Sequence, residues 1–268
     1  MEEKEMMSAA KAMRASRRLG QNFLMNRNLA KREASYAASK NVVEMGPGLG
    51  MLTSELCMVA KSVTAIEKDD RLYALLRSNN DCKNLNLVNA DFFSLEKSFF
   101  SGIDIMVSNI PYNLSSSVLY WLAGMGIPAV LSMQEEFVSH MSAVPGTRKY
   151  SKLSVVTSLS FDVEVIANVP PTYFYPRPKV RSSVILVTPK NRVIGEKELA
   201  MISCLMEHKK KKLRNALIDS AGSLGMPKSA VSAIAEKLPM KDTRPFQLTP
   251  EGLLAVSEEV LVLLGKSA

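Results

Sequence analysis

Val42-Val43-Glu44-Met45-Gly46-Pro47-Gly48-Leu49-Gly50 carries a β-branched run into a turn with three alternating glycines. Helix-like spacing of apolar residues follows over Leu49–Val59. A glycine has no Cβ, so the chain can reverse sharply there and a ligand can approach the backbone closely. The same rhythm recurs downstream. Strands are expected at Asn41–Met45, Ser62–Ile66, Leu85–Val88, Ile103–Ser108 and Ala129–Met133, with helical segments such as Asp70–Asn79 between them. Strand–helix alternation implies a parallel sheet with helices on both faces. Phe161–Val169 and Ser182–Thr188 read as two more strands around a loop containing Pro170, Pro171, Pro176 and Pro178, an antiparallel pair closing one edge. From Pro189 onward strands stop. Helices are expected at Lys197–Asn215, Ala230–Lys237 and Thr249–Leu264, punctuated by Gly222, Gly225, Pro227, Pro239 and Pro245. The expected architecture is α/β: a doubly wound, seven-stranded Rossmann-like domain over 1–189, then a small α-helical domain over 190–268.

Composition narrows the classes. The chain has 268 residues, 47% apolar and 22% charged, with 13 Gly and 13 Pro, which excludes disordered, collagenous and low-complexity chains. The best apolar run, Leu253–Leu264, is interrupted by Glu258 and Glu259, so no membrane helix is expected. The opening Met-Glu-Glu-Lys-Glu lacks the apolar stretch of a signal peptide, and a cytoplasmic protein is expected. Cys57, Cys82 and Cys204 are far apart and His140 and His208 are the two histidines, so no metal site is expected. Net charge is +8 and unevenly spread. Residues 1–40 carry nine Lys/Arg against four acids, residues 41–170 nine against thirteen, and residues 171–268 sixteen against nine. Two basic ends around an acidic middle point to a polyanionic partner, nucleic acid being the commonest.

The glycine spacing bears on the ligand. A dinucleotide fold uses G-x-G-x-x-G, with its helix N-terminus facing a pyrophosphate. Here it is G-x-G-x-G, preceded by Glu44 and without a basic residue in the turn. That suits a ligand without phosphates whose cationic groups an acid can attract, such as S-adenosylmethionine. Glu67 ends the second strand, where a carboxylate can accept hydrogen bonds from ribose hydroxyls. Asp91 follows the third and can accept from an adenine amino group. The α/β pattern alone also fits an NAD-dependent oxidoreductase, which the glycine spacing disfavours.

Asn109-Ile110-Pro111-Tyr112 ends the fourth strand. Methyl transfer to an exocyclic aromatic amine is hindered because the nitrogen lone pair is delocalised into the ring. The Asn109 side-chain oxygen, with the Ile110 or Pro111 carbonyl, can accept from both N–H groups and favour a pyramidal nitrogen. Tyr112 can stack on the base and hold it in attack geometry. No metal or strong general base is needed, because the leaving group is a neutral thioether. The base must be single-stranded or flipped out to reach such a pocket. Tyr173, Phe174 and Tyr175 offer a second stacking face.

At these positions the chain resembles the KsgA-type ribosomal RNA adenine dimethyltransferases, most closely the archaeal branch. Leu19-Gly20-Gln21-Asn22-Phe23-Leu24 looks like the family's cofactor-covering motif, Glu44 to Gly50 its glycine motif and Asn109 to Tyr112 its catalytic tetrapeptide. Pro170 to Val180 resembles its Pro-rich loop, and His208 to Leu217 and Arg244-Pro245-Phe246-Gln247-Leu248 its C-terminal helical signatures. The resemblance implies dimethylation, from S-adenosylmethionine, of N6 on two adjacent adenosines near the 3′ end of small-subunit rRNA. It also implies binding to the immature small ribosomal subunit. Gln21, Asn22, Leu24, Glu44, Gly46, Gly48, Gly50, Glu67, Asp91 and Asn109 would hold cofactor, and Asn109, Pro111, Tyr112 and Phe174 would serve catalysis. Arg14, Arg17, Arg18, the run Lys209, Lys210, Lys211 and Lys212 on an expected helix, and Arg214 would contact RNA. Three departures stand out. The helix between Asn28 and Asn41 looks short, Arg177 replaces a small residue, and Arg181 replaces an acid. A non-catalytic assembly protein and a large-subunit rRNA methyltransferase are the rival readings, and nothing demands more than a monomer.

Overall fold

The computed structural model describes residues 3–13, 15–16, 19–79, 81–191 and 194–265. Arg14, Arg17 and Arg18 lie outside the described residues. The strands are β1 (Phe23–Leu24), β2 (Asn41–Met45), β3 (Ser62–Glu67), β4 (Leu85–Asn89), β5 (Ile105–Asn109), β6 (Ala129–Gln134), β7 (Phe161–Val169), β8 (Phe174–Tyr175) and β9 (Ser182–Pro189). The helices are α1 (Glu3–Met13), α2 (Arg27–Ala34), α3 (Met51–Val59), α4 (Asp70–Asn79), α5 (Ser115–Met125), α6 (Glu135–Met141), α7 (Lys152–Ser160), α8 (Glu196–Glu207), α9 (Leu213–Asp219), α10 (Lys228–Ala235) and α11 (Pro250–Leu263).

Seven strands make one sheet in the order β4-β3-β2-β5-β6-β9-β7. Neighbours from β4 through β6 run parallel, and β9 runs antiparallel to β6. All seven strands expected from the sequence are present, within two residues at their ends. The hydrophobic runs explain the central position of β2, β5 and β6. Val42, Val43, Ile105, Met106, Val107, Val130 and Leu131 are all buried, as both faces of a parallel sheet must be when helices cover them. Strand order reverses between β2 and β5, whose register runs Val42↔Ile105 and Val43↔Met106. Further along, the Ser108 hydroxyl donates to the Met45 carbonyl at 2.6 Å. In an open α/β sheet the crevice at the carboxyl ends of such a pair is where ligands bind.

The chain packs as two compact units. One takes the residues up to Phe137 with Val163–Thr188; the other takes Val138–Asp162 with the residues from Pro189 on. A simple cut at 189 therefore leaves out a segment, including α7, that the middle of the chain lends to the helical unit. Tyr150 shows why it belongs there: its ring is fully buried and its hydroxyl donates to the Leu248 carbonyl at 3.0 Å.

The expected single helix over Lys197–Asn215 is instead α8 and α9 separated by a turn, so the Lys209–Lys212 run is not helical. The backbone of this turn bonds elsewhere. The Lys209 carbonyl accepts from Phe246 N–H, and the Leu213 and Arg214 N–H groups donate to the Thr243 and Lys241 carbonyls. The lysines also diverge. Lys209 Nζ donates to the Tyr150 carbonyl, Lys211 pairs with Asp219 at 2.6 Å and Lys212 with Asp242 at 2.9 Å. Asp242 also takes Arg214 at 3.4 Å. Lys210 is exposed and has no partner among the described residues.

Candidate active site

A cavity of about 490 Å³ opens at the β2/β5 switch point. Its wall brings together Gln21, Asn22, Gly46, Gly48, Glu67, Asp91, Asn109, Pro111, Tyr112 and Phe174, which are far apart in sequence. A smaller recess beside it is lined by Leu24 and Glu44. Gly50 lines neither. It caps α3 in the left-handed region (φ 86°), and a Cβ there would meet Leu76 Cδ2 at 2.6 Å, so packing accounts for this glycine. Gly46 differs: it is also left-handed (φ 68°), but a Cβ would meet nothing within 4 Å. The free space over Gly46 belongs to the cavity, as expected of a glycine left bare for a ligand.

The cavity roof comes from a pairing that the sequence did not reveal. β1 and β8 form a two-stranded antiparallel ladder with Phe23↔Tyr175 and Leu24↔Phe174. Met25 N–H extends it by donating to the Tyr173 carbonyl at 2.8 Å. This ladder ties the N-terminal motif to the Pro-rich loop and seats Phe174, 4% exposed, in the cavity wall. Gln21 braces the same segment, accepting from Ser16 N–H at 2.7 Å and donating to Asp69 at 3.0 Å. Asn22 donates to the Gly20 carbonyl at 3.2 Å.

Glu67, 5% exposed, accepts from Gly48 N–H at 3.2 Å and Asp69 N–H at 2.8 Å, so it both shapes the glycine turn and faces the cavity. Burial raises its pKa above the usual carboxylate range. Glu44, 2% exposed, is pushed up to about 8 by burial, with the nearby Thr53 hydroxyl opposing and the charge of Glu67 adding to the shift. Asp91 is committed to other groups: Lys68 Nζ lies 2.5 Å from one oxygen and Phe93 N–H donates to the other at 3.1 Å. The Lys68 hydrogen bond holds its carboxyl below the usual value.

Asn109 lies at the end of β5 with Oδ1 buried and without a hydrogen-bond partner. Its Nδ2 donates to Glu33 Oε2 at 3.3 Å. The Tyr112 hydroxyl shares a 2.7 Å hydrogen bond with the Ser182 hydroxyl, which anchors the ring at the rim. Glu33 was not singled out from the sequence. It sits on the inward face of α2 with Leu29, Ala30 and Ala34, a carboxyl at a spacing otherwise apolar, and that break in pattern is the signal that could have found it. No group of His, Cys, Asp and Glu among the described residues could hold a metal ion.

The ribosomal RNA adenine dimethylase family matches residues 12–250 of the chain. The chain is similar to a probable ribosomal RNA small subunit methyltransferase A of Pyrococcus abyssi, with 37% identity covering 92% of each protein. The like-named protein of Methanopyrus kandleri is 36% identical over 94% of this chain and 95% of its own. Among solved structures, a dimethyladenosine transferase from Plasmodium falciparum aligns with a TM-score of 0.71 and 25% identity over 91% of this chain and 98% of that one. The 23S rRNA methyltransferase ErmE aligns at 0.58 and 26% identity, over 89% and 99%.

Proposed function

Because the chain belongs to the ribosomal RNA adenine dimethylase family, which uses S-adenosylmethionine, we propose that it dimethylates N6 of two adjacent adenosines near the 3′ end of small-subunit rRNA. The proposed substrate form is an immature small subunit, met in the cytoplasm by a monomer. The observation that carries this reading is the unpartnered Asn109 Oδ1, buried at a cavity that also holds the bare glycine turn and Glu67.

The residues present fit the cofactor. Gly46 leaves room for it, Glu67 has lone pairs left for ribose hydroxyls, and a bound cation would favour the ionised forms of the buried Glu44 and Glu67 carboxyls. Lys68, a cation in the cavity wall, is tied to Asp91, so among the described lining residues no unpaired cation is arranged for a pyrophosphate. S-adenosylmethionine, when bound, supplies an electrophilic methyl group on a sulfonium. Asn109 Oδ1 accepts one amine N–H of the flipped adenine and the backbone beside Pro111 accepts the other. Tyr112 and Phe174 flank the ring and exclude water. The proton released by each transfer leaves to solvent.

Methyl transfer from labelled cofactor to unmethylated small subunits, followed by nucleoside analysis of the rRNA, tests the proposal. Dimethyladenosine in the 3′-terminal region is the expected product. Cofactor binding without incorporation would turn the reading to the non-catalytic assembly protein.

Glu67→Ala is expected to weaken S-adenosylmethionine binding about tenfold, the loss of hydrogen bonds to a charged acceptor. Titration calorimetry measures it, and a change confined to RNA affinity would contradict the assignment. RNA contacts by Arg14, Arg17, Arg18, Lys209–Lys212 and Arg214 remain a proposal; Lys211, Lys212 and Arg214 are ion-paired and Lys209 is bound to carbonyls, which leaves Lys210 as the exposed lysine of the run without a partner among the described residues. Arg177 and Lys179 are exposed in the loop after Phe174 and join it as candidates for phosphate contact. Lys210→Glu is expected to lower rRNA affinity and reduce the slope of log affinity against log salt by about one. An unchanged slope in fluorescence anisotropy would remove Lys210 from the interface.

A further inference from the structure

We propose that Glu33 is a positioning residue for the methyl-transfer reaction: its buried carboxyl holds the Asn109 amide by Nδ2 and so leaves Oδ1 as the unpartnered acceptor. The inference rests on the reading of Asn109 as the acceptor for the target amine.

A side-chain amide is nearly symmetric in shape and opposite in chemistry at its two ends, so packing alone does not choose between its two orientations. The choice is consequential at Asn109. With Oδ1 toward the cavity, the side chain accepts an amine N–H. Turned over, it would present two N–H donors to an amine that is itself a donor, and productive binding would be lost. The facing carboxyl oxygen accepts from Nδ2, and once Glu33 is ionised, above a pKa that burial raises to about 8, it offers acceptors only and the amide nitrogen has to face it. Glu33 Oε2 sits 3.3 Å from Asn109 Nδ2, which is that arrangement, and Asn109 Oδ1 is left without any protein partner.

Glu33 has no other evident task. It is 2% exposed, its Oε1 has no hydrogen-bond partner, and it lines neither the cavity nor the recess. It therefore acts through Asn109 and not on the substrate. A carboxyl on the apolar face of a helix, with one oxygen unsatisfied, is destabilising in itself. An aliphatic side chain would suit the buried face it shares with Leu29, Ala30 and Ala34 better. The polar contact that remains to justify the residue is the one to Asn109.

Two variants and a double-mutant cycle test the proposal on the full-length protein. Glu33→Leu removes the acceptor. Glu33→Gln keeps the shape, but its amide can accept from Nδ2 or donate to Oδ1, so it no longer selects one orientation. Above pH 8, where Glu33 is ionised, single-turnover kcat on unmethylated small subunits is expected to fall about tenfold in Glu33→Leu and less in Glu33→Gln, the scale of one misplaced hydrogen bond. KM for RNA and cofactor affinity should stay within twofold. In an Asn109→Ala background the Glu33 substitutions should cause no further loss, because the residue through which they act is gone. A structural role alone would change the melting temperature while leaving kcat intact, and its effects would add to those of Asn109→Ala. If Glu33→Leu fails to fold, the isosteric Glu33→Gln carries the test. Wild-type kcat in the folded Glu33 variants, alongside a crippled Asn109→Ala, overturns the positioning role and spares the proposed function. An inactive wild type, or an unaffected Asn109→Ala, overturns both.

Discussion

Asn109→Ala is expected to lower the rate of methyl transfer about 100-fold or more while cofactor affinity stays within a few-fold, by comparison with removing one pre-aimed dipole from other active sites. The physical reason is differential binding. An adenine amine is close to planar, with its lone pair shared with the ring. As the carbon–nitrogen bond forms, that nitrogen becomes tetrahedral and its N–H groups become more acidic. A fixed acceptor is therefore bound more strongly by the transition state than by the ground state, which is the condition for raising kcat. Oδ1 of Asn109 is fixed in advance, since Nδ2 is held by Glu33, and it is buried and unpartnered, so its lone pairs have no rival. Alanine removes the acceptor without touching the strand, because Asn109 is the last residue of β5 and pairs through its backbone with Ser132. Single-turnover incorporation and calorimetric cofactor binding separate the two effects. Turnover within threefold of wild type would sink the assigned role.

The sheet was legible because burial on both faces forces a parallel strand to be written as a continuous apolar run. Val42–Val43 and Ile105–Val107 could hardly be anything else, and the glycine turn beside them located the cavity. What escaped had weaker local grammar. β1 and β8 are two residues each, too short for any alternation, and their pairing joins segments about 150 residues apart in sequence. Four consecutive lysines read as the end of one long helix. Their backbone was instead captured by Lys241, Thr243 and Phe246, contacts that no local pattern announces. Lending Val138–Asp162 to the helical unit is likewise a packing decision, made by residues such as Tyr150. Glu33 is the instructive omission. Apolar spacing places a polar residue on the outer face of a helix, whereas α2 carries it on the inner one beside the Asn109 amide.

That cluster of carboxyls sets the second large expectation. The free protein should lose stability as pH rises from about 5 to 8, the reverse of ordinary acid denaturation. Glu33 and Glu44 are each raised by burial from 4.5 to about 8, and each also feels a neighbouring carboxylate, Glu44 for Glu33 and Glu67 for Glu44. Across the interval from 4.5 to 8 the native chain holds protons that the unfolded chain has released, so raising the pH pulls the equilibrium toward the unfolded state. Their contribution is complete below 4.5, declines across that window and is gone above 8. Each group alone accounts for about 1.4 kcal/mol per pH unit. Asp91, held low by Lys68, works in the opposite sense and loses its contribution only as pH falls through its depressed folded value, below the window of interest. Melting temperature followed by circular dichroism from pH 5 to 8.5 measures the slope. Glu33→Gln and Glu44→Gln should each flatten it, because an amide has no proton to lose, and each should be more stable than wild type at pH 8. If both variants keep the wild-type slope, other groups govern it and the two buried acids are ionised throughout.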